Sequence, residues 1–291
     1  MDAVTVCMTA RNAEATIGGS IRSLLRALGS SGRILVRDDG SSDRTGDIVR
    51  RAGDPRVRLL DDSSPLGIPG SRNALLDEVR TPVLAVLDAD DRAFPWRFRR
   101  QLGLLATGVD AVFSPVVVRK PPLPILRPQL FPALSTAAVP LALLLENPFM
   151  HPTMTARTDV VRGLGGYRAV AAEDFDLYLR ACTAGHRLIR DAVPTVLYLR
   201  HSGQITVDPT WNRSKSDTSL VEEAFGRLGA QTLRFVPSWF AWRRAGFPRG
   251  GAPEHVTEQL DAVEASVRVL RPLERRYLGS RLARIRSAVA A

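Results

Sequence analysis

Over the first 118 residues, short runs of β-branched and apolar residues alternate with stretches in which apolar side chains recur every three or four positions. The first pattern is typical of buried strands and the second of amphipathic helices. Strands are predicted at residues 4–9, 33–36, 57–60, 82–87 and 111–118. Helices are predicted at residues 15–28, about 42–52, 70–79 and 95–105. This alternation predicts βαβ units, and so an α/β domain with a mostly parallel central sheet flanked by helices.

The remainder of the chain is less regular. Residues 120–132 contain five prolines, so an irregular or extended segment is expected there instead of a helix. A last strand is predicted at residues 195–199. Helical patterns cover residues 141–145, 173–184, 214–228, 254–270 and 272–289. The predicted organisation is one large domain at 1–207, with halves at 1–118 and 119–207, and a C-terminal helical region at 208–291.

The composition is that of a folded protein from a reducing compartment. Apolar residues make up 45% of the chain, which is enough for a sizeable core. The two cysteines, Cys7 and Cys182, lie in apolar segments without metal-ligand spacing, so buried thiols are expected. A secretory signal is not expected after Met1, because the chain runs directly into an apolar strand-like stretch. The longest apolar stretch, residues 131–145, is shorter than the roughly 20 residues that span a bilayer. We therefore expect a cytoplasmic protein.

The net charge of +10 comes from 40 basic and 30 acidic residues, and half of the excess lies in the last fifth of the chain. Such a tail can attract nucleic acid, an anionic membrane or anionic substrates, or it can be a solvated helix. Only Tyr277 accompanies the arginines of residues 271–286, which argues against a groove for single-stranded nucleic acid. Leu278, Leu282 and Ile285 share one helical face. That face can lie on a membrane or pack on the large domain or a second subunit, and packing is preferred.

Three acidic residues follow the apolar stretch 82–87 directly, in the run Asp88-Ala89-Asp90-Asp91. A buried strand has no room for charge until its carboxyl end, and ligands of open α/β sheets bind outside those ends. Carboxylates clustered there can hold a hard divalent cation, which in turn holds a phosphate. The alternative is a solvated acidic turn that caps the helix starting near residue 95.

Two more polar clusters follow predicted strands, Ala10-Arg11-Asn12 after the first and residues 38–43 after the second. Parallel strands place all three clusters at the same edge of the sheet. The glycine-rich loops that bind dinucleotides or triphosphates are absent from the sequence. A nucleotide at this edge would therefore be held through carboxylates and a metal ion.

Seven short motifs occur in one order along the chain: ARN, DDGSSD, GIPGSRN, LDADD, GGYR, EDFDLYLR and YLRHSGQ. In this order they resemble the family 2 glycosyltransferases with the GT-A fold, over residues 4–206. The resemblance implies a nucleotide-sugar donor at the sheet edge and a divalent metal, Mn²⁺ or Mg²⁺, between its diphosphate and a D-x-D motif. It also implies a carboxylate that deprotonates the acceptor hydroxyl. Residues 1–118 would then be the nucleotide-binding half and residues 119–207 the acceptor-side half.

The resemblance further implies which residues hold the donor. Asp38 or Asp39 would hydrogen-bond the base, and Arg72 would lie beside it. Arg11 occupies the place of an aromatic residue that is common in the family, so uridine is only the default nucleotide. A UDP-sugar is the default donor, with GDP- and dTDP-sugars as alternatives. The complete expected donor-binding set is Thr9, Arg11, Asn12, Asp38, Asp39, Arg72, Asp88 and Ala89.

Residues for catalysis and metal binding follow from the same resemblance. Asp174 resembles the general base, and Asp90 resembles the direct metal ligand, while Asp91 is expected to have a structural role. His201 resembles a residue that completes the metal or diphosphate shell. His151 and Glu173 are expected on the acceptor side. One base and one metal suit a single displacement with inversion at the anomeric carbon.

The expected activity is therefore inverting, metal-dependent transfer of a sugar from a nucleoside diphosphate to a hydroxyl of a glycan, a lipid-linked acceptor or a small molecule. The alternative is a catalytically inactive protein on the same scaffold that binds nucleotide sugars, a membrane or a partner. Peripheral attachment to the inner face of the membrane through the basic C-terminal helix is the alternative location. A homodimer is compatible with that helix, and no nucleic-acid partner is expected.

Overall fold

The computed structural model describes residues 3–30, 32–60, 64–119, 125–170, 172–200, 218–248 and 251–290. The chain forms two compact units. The first unit comprises Met1–Leu130, Phe149–Ala169 and Asp191–Ser214. The second comprises Phe131–Pro148, Val170–Arg190 and Lys215–Ala291. The predicted boundary at residue 207 lies outside the described residues, so the division into 1–207 and 208–291 stays a prediction.

Strands and helices alternate through the first unit, and helices dominate the second. The strands are β1 Val4–Ala10, β2 Gly32–Asp38, β3 Val57–Leu60, β4 Val83–Val86, β5 Arg92–Ala93, β6 Ala111–Phe113, β7 Val116–Arg119, β8 Leu126–Pro128, β9 Thr155–Arg157, β10 Leu188–Arg190 and β11 Val196–Leu199. The helices are α1 Ile17–Leu28, α2 Thr45–Arg50, α3 Gly67–Glu78, α4 Arg97–Leu105, α5 Ala138–Leu145, α6 Thr158–Gly163, α7 Glu173–Thr183, α8 Ser219–Leu233, α9 Phe240–Arg244, α10 Val256–Arg268 and α11 Pro272–Val289. A single turn of 3-10 helix covers His151–Thr153.

The large sheet of the first unit has the strand order β6-β9-β4-β1-β2-β3. Strand β1 pairs in parallel with β2 and β4, and β2 pairs in parallel with β3, as the alternating pattern predicts. Strand β9 is antiparallel to β4 and β6. A smaller sheet has the order β5-β11-β7-β8. The parallel arrangement brings the carboxyl ends of β1, β2 and β4 to one edge, which is where the polar clusters follow.

The prediction of one strand at residues 111–118 is wrong. The segment divides into β6 and β7, which belong to different sheets. The break falls at Ser114 and Pro115. Pro115 has no N–H to donate to a ladder, and the N–H of Ser114 donates to Oγ1 of Thr153 at 3.1 Å instead. The chain is extended again at β8. Because β8 is an edge strand of the smaller sheet, it can include Pro128.

The core of the first unit lies between the large sheet and α1. Val4, Val6 and Met8 of β1 are buried, and so are Ile21 and Leu24 of α1. Burial of each such side chain stabilises the fold by about 1.5–3 kcal/mol. The apolar residues that define the strand pattern of β1 and the helical pattern of α1 are therefore buried in the same core.

The apolar face of α11 is buried inside the second unit. Leu278, Leu282 and Ile285 are at most 3% exposed, and the helix packs against α5 and α10. The buried guanidinium of Arg190 donates to the hydroxyl of Tyr277 at 3.2 Å. The apolar face of α11 is thus covered by helices of its own unit, while contact of this region with a membrane or a second subunit stays a prediction.

Among the residues described, no helix combines the length and the apolarity that crossing a membrane requires. Cys7 and Cys182 are free and buried, as expected from their apolar segments. Burial raises the pKa of both thiols to about 12, so neither is a reactive thiolate at neutral pH.

Candidate active site

An acidic cluster lies just beyond the carboxyl end of β4. Leu87 is buried, and oxygen atoms from the carboxylates of Asp88, Asp90 and Asp91 all lie within 4.8 Å of one another. Asp91 is fully buried, whereas Asp88 and Asp90 are partly exposed. Three carboxylates at this spacing can supply the oxygen ligands that Mg²⁺ or Mn²⁺ prefers.

The buried carboxylate of Asp91 is only half satisfied. Its Oδ1 accepts a hydrogen bond from the N–H of Leu199 at 3.1 Å. Its Oδ2 has no hydrogen-bond partner among the described residues. Burial, followed by the negative charges of Asp88 and Asp90, raises the pKa of Asp91 well above its ordinary value. The bond to β11 agrees with the structural role expected for Asp91, while the free oxygen adds a third carboxylate to the cluster.

Arg97 was not expected from the sequence to contribute to this site. Its side chain is fully buried, and Nη2 donates to the carbonyl oxygens of Val86 at 2.7 Å and Met154 at 3.2 Å. Burial lowers the pKa of Arg97 to about 9, and the charges of Asp91 and Asp88 oppose that shift. A guanidinium with this pKa is positive at neutral pH, so it offsets part of the repulsion among the carboxylates.

The turns after β1 and β2 are bonded to each other. Asn12 adopts a left-handed conformation, with φ of 49°, and its Oδ1 accepts from the N–H of Ser42 at 2.9 Å. Oδ1 of Asp38 accepts from the N–H of Ser41 at 2.9 Å. Arg11 is exposed beside this turn. Asn12 and Asp38 therefore shape the turns that border the sheet edge.

Asp39 is the more buried of the two carboxylates expected near the base, with 7% of its surface exposed. Its Oδ1 accepts from the N–H of Leu66 at 2.7 Å and from the hydroxyl of Ser71 at 2.6 Å. Nε of Arg37 also donates to that hydroxyl, at 3.2 Å. Asp39 thereby holds the start of α3, the helix that carries Arg72.

Arg72, Tyr167 and His151 form a second cluster in the same unit. Cζ of Arg72 lies 5.4 Å from the centre of the Tyr167 ring, and the Tyr167 hydroxyl lies 3.2 Å from Nε2 of His151. Thr9 borders a narrow cavity together with Arg72 and Tyr167. Burial, and then the charge of Arg72, lowers the pKa of His151 well below its ordinary value, so its ring is neutral at pH 7. His151 is thus a buried partner of Tyr167.

The turn Gly165-Gly166-Tyr167 is fastened to α3 by one amide side chain. Nδ2 of Asn73 donates to the carbonyl oxygen of Tyr167, and Oδ1 of Asn73 accepts from its N–H, both at 2.8 Å. Gly165 and Gly166 have φ of 76° and 68°, which non-glycine residues rarely adopt. The turn therefore needs glycine for its backbone as well as for its contact with Asn73.

Replacing Gly166 by Ala is expected to lower the free energy of unfolding by about 2–4 kcal/mol, from about 1 for the left-handed backbone and about 1–3 for overpacking. A Cβ at this position would lie 2.4 Å from Oδ1 of Asn73. Gly165→Ala is the matched control, because a Cβ there meets nothing within 4 Å. Urea unfolding of both variants measures the difference, and equal losses would contradict the role of Asn73.

Glu173 and Asp174 begin α7 in the second unit. Oδ1 of Asp174 accepts from the N–H of Phe175 at 2.8 Å, and its side chain is partly exposed. Glu173 is buried, and so is Asp176, which pairs with Nε of Arg180 at 2.8 Å. Asp174 is therefore the carboxylate of this turn that solvent reaches. His201, the expected metal-shell residue, lies outside the described residues.

The chain matches a known family over much of its length. Residues 5–165, more than half of the chain, match the profile described as Glycosyl transferase family 2. The chain belongs to glycosyl transferase family 2. This confirms the family and the enzyme class that the seven motifs predict.

Relatives of this family 2 glycosyltransferase include the putative glycosyltransferase EpsE of Bacillus subtilis. EpsE is 28% identical over 200 residues, which cover 63% of this chain and 68% of EpsE. The Escherichia coli protein UDP-Glc:alpha-D-GlcNAc-diphosphoundecaprenol beta-1,3-glucosyltransferase WfgD is 34% identical over 102 residues. That match covers 35% of this chain and 40% of WfgD, so it spans well under half of that relative.

Solved structures share the fold at low sequence identity. S. aureus TarS 1-349 in complex with UDP-GlcNAc has a TM-score of 0.64 at 15% identity, covering 98% of this chain and 90% of that chain. Mannosyltransferase PcManGT from Pyrobaculum calidifontis, in complex with GDP-Man and Mn²⁺, has a TM-score of 0.56 at 17% identity. It covers 96% of this chain and 79% of that chain. At these identities the likeness concerns the fold alone, and it confirms the predicted GT-A fold.

Proposed function

We propose that this family 2 glycosyltransferase is a metal-dependent, inverting enzyme that moves a sugar from a nucleoside diphosphate to an acceptor hydroxyl. The observation that carries the proposal is the acidic cluster, whose three carboxylates come within 4.8 Å of one another beyond β4. The presence of Asp90 and Asp174 in the family's motif order disfavours the alternative of an inactive binding protein.

The residues of the cluster fit a divalent metal. Oδ2 of Asp91 is a buried carboxylate oxygen without a hydrogen-bond partner in the described part of the chain, and a cation would satisfy it. Asp90 would be the direct ligand, with Asp88 on the ribose side. When bound, the metal neutralises negative charge on the departing diphosphate. Mn²⁺ in the PcManGT complex supports this choice, with Mg²⁺ as the alternative.

The donor base would lie near Asp39 and Arg72. The N–H of Leu66 and the hydroxyl of Ser71 both donate to Oδ1 of Asp39, and these two hydrogen bonds fix the orientation of its carboxylate. Arg72 follows Ser71 directly and lies over Tyr167. UDP-GlcNAc in the TarS complex and GDP-Man in the PcManGT complex support a nucleotide-sugar donor, with a UDP-sugar as the default.

Asp174 would act as the general base. It would accept the proton of the acceptor hydroxyl as the oxygen attacks the anomeric carbon, while the bond to the diphosphate breaks on the opposite side. A positioned base typically contributes 10²- to 10⁴-fold, roughly, to such a step. One base and one displacement give inversion of configuration.

A lipid-linked glycan is the acceptor class that we favour. The name of WfgD describes transfer to GlcNAc on diphosphoundecaprenol, a lipid carrier. In this chain, exposed Arg271, Arg275 and Arg276 lie near Leu273, which is 68% exposed, at the start of α11. Such a surface suits peripheral contact with an anionic membrane from the cytoplasmic side.

A thermal-shift screen of UDP, GDP and dTDP, and of their sugar conjugates, tests the donor proposal. With Mn²⁺, one nucleotide class is expected to stabilise the protein, by about 2.7 kcal/mol at a concentration 100 times its Kd. The same ligands with EDTA are the control and should give little shift. Absence of a metal-dependent shift with every nucleotide would contradict the proposal.

A further inference from the structure

A groove of about 590 Å³ lies on the surface of the first unit, and none of the residues that line it is assigned above to donor, metal or base. Six residues from α4 and the segments beside it line this groove, which we call the Trp96 groove. They are Trp96, Arg99, Arg100, Gly103, Leu104 and Val193. Its volume is in the range of small-ligand sites, which runs from roughly 300 to 1,000 Å³.

The indole of Trp96 is held rigidly although it is 40% exposed. It stacks on the ring of Phe94, with centroids 4.7 Å apart and planes 6° from parallel. Its Nε1 donates to the carbonyl oxygen of Pro194 at 2.9 Å. One face of the indole is therefore covered by Phe94, and Trp96 lines the groove with part of its surface exposed. A ligand that stacks there would find the ring already oriented, at little cost in side-chain entropy.

Charge in the groove is positive. Arg99 is exposed, and within the described part of the chain its guanidinium has no ion-pair partner. Arg100 is held in place by the buried carboxylate of Asp191, with Nη2 donating to Oδ1 at 2.8 Å. That pair is neutral, so Arg99 supplies the net charge. Gly103 also lines the groove, and a Cβ at this position would meet nothing within 4 Å.

This combination selects a particular ligand chemistry. The C–H face of a pyranose ring is apolar and slightly positive, so it complements the negative face of an indole. A guanidinium beside that ring binds a carboxylate or phosphate through two parallel hydrogen bonds. Single-stranded nucleic acid would need a series of aromatic rings along a basic track, whereas this groove offers one ring.

We propose that the Trp96 groove binds an acidic sugar unit of a glycan, with Trp96 stacking on the pyranose ring and Arg99 holding its anionic substituent. The groove would retain a glycan chain during the transfer proposed for the acidic cluster and Asp174. This proposal rests on the proposed function in one respect, namely that the glycan is a substrate or product of sugar transfer. Binding itself needs no donor and no metal.

Calorimetric titration of the full chain with hexagalacturonate, in EDTA, tests the proposal. Wild type is expected to bind, and Trp96→Ala is expected to bind at least about tenfold more weakly, a loss of about 1.4 kcal/mol. Trp96→Phe retains a stacking ring and should stay within about threefold of wild type. Arg99→Gln should weaken binding and reduce its salt dependence. Maltohexaose, a neutral hexasaccharide, should bind more weakly than the acidic one.

Arg284→Gln is the matched control, since it removes one exposed arginine from α11 and should leave affinity unchanged. Thermal unfolding of each variant checks that the fold is retained. Absence of wild-type binding, or equal affinity of wild type and Trp96→Ala, would overturn the proposal. Equal affinity for both hexasaccharides would overturn the role of Arg99. If duplex DNA or phosphatidylglycerol vesicles bound in a Trp96-dependent way and the glycan did not, the choice of an acidic glycan as ligand would be overturned. The glycan titration contains EDTA, which removes the metal that donor binding needs. A failed donor screen would therefore contradict the proposed function alone, and a failed glycan titration would contradict the glycan site alone.

Discussion

Replacing Asp174 by Asn is expected to reduce turnover at least roughly 10²-fold while the Kd for the donor stays within about twofold. The amide keeps the shape of the side chain, and its oxygen can still accept from the N–H of Phe175, as Oδ1 does at 2.8 Å. It loses the capacity to take the proton of the acceptor hydroxyl. Single-turnover sugar transfer and donor titration measure the two quantities separately.

Asp159→Asn is the matched control for that experiment. Asp159 also lies in a first helical turn, that of α6, and its Oδ1 accepts from the next N–H at 2.9 Å. Its replacement tests whether a carboxylate in a first helical turn matters merely through the helix dipole, which contributes about 0.3–1 kcal/mol of stability. Undiminished transfer by Asp174→Asn, or an equal loss in Asp159→Asn, would remove Asp174 from the role of base.

Replacing Asp90 by Ala is expected to weaken metal-dependent donor binding by at least roughly 10- to 100-fold, since changes even to groups that only orient metal ligands cost that much. Asp90 is partly exposed within the acidic cluster, so its loss should leave the fold intact. Calorimetric titration of the donor with Mn²⁺ and with EDTA measures the metal-dependent part of the affinity. In the variant the two titrations should nearly coincide.

Asp47→Ala serves as the control for Asp90. Asp47 is an exposed carboxylate of α2 that pairs with Arg50 on the surface at 3.1 Å, and such pairs contribute about 0–1 kcal/mol. Its removal changes the net charge as Asp90→Ala does, without touching the cluster. If Asp90→Ala kept the Mn²⁺ dependence of wild type, Asp90 would not be the direct ligand.

Much of the first unit could be predicted from local pattern. Strands β1, β2 and β4 appear close to their expected bounds, because buried parallel strands consist of short apolar runs. The acidic run Asp88 to Asp91 could be placed at a strand end for the same reason. The resemblance of the motifs then identified the family, which the match over residues 5–165 confirms.

Other features depend on partners far apart in the sequence. Arg97 reads as an ordinary helix residue, yet its guanidinium bonds to the carbonyl oxygen of Met154, 57 residues away. Asn73 holds Tyr167 across 94 positions, and Asp91 bonds to Leu199 across 108. Periodicity reports which face of an element is buried and carries no information about which distant atom lies opposite.

The sequence by itself determined the succession of strands and helices, the sheet edge that carries the carboxylates, and the family. These follow from apolar spacing and short motifs, which are local properties of the chain. Tertiary structure alone decided that Asp91 is fully buried, with one oxygen that has no hydrogen-bond partner in the described part of the chain. It also decided that His151 is a neutral partner of Tyr167 and that α11 buries its apolar face. The reason is that burial, pKa and hydrogen-bond satisfaction depend on groups that folding brings together from distant parts of the chain.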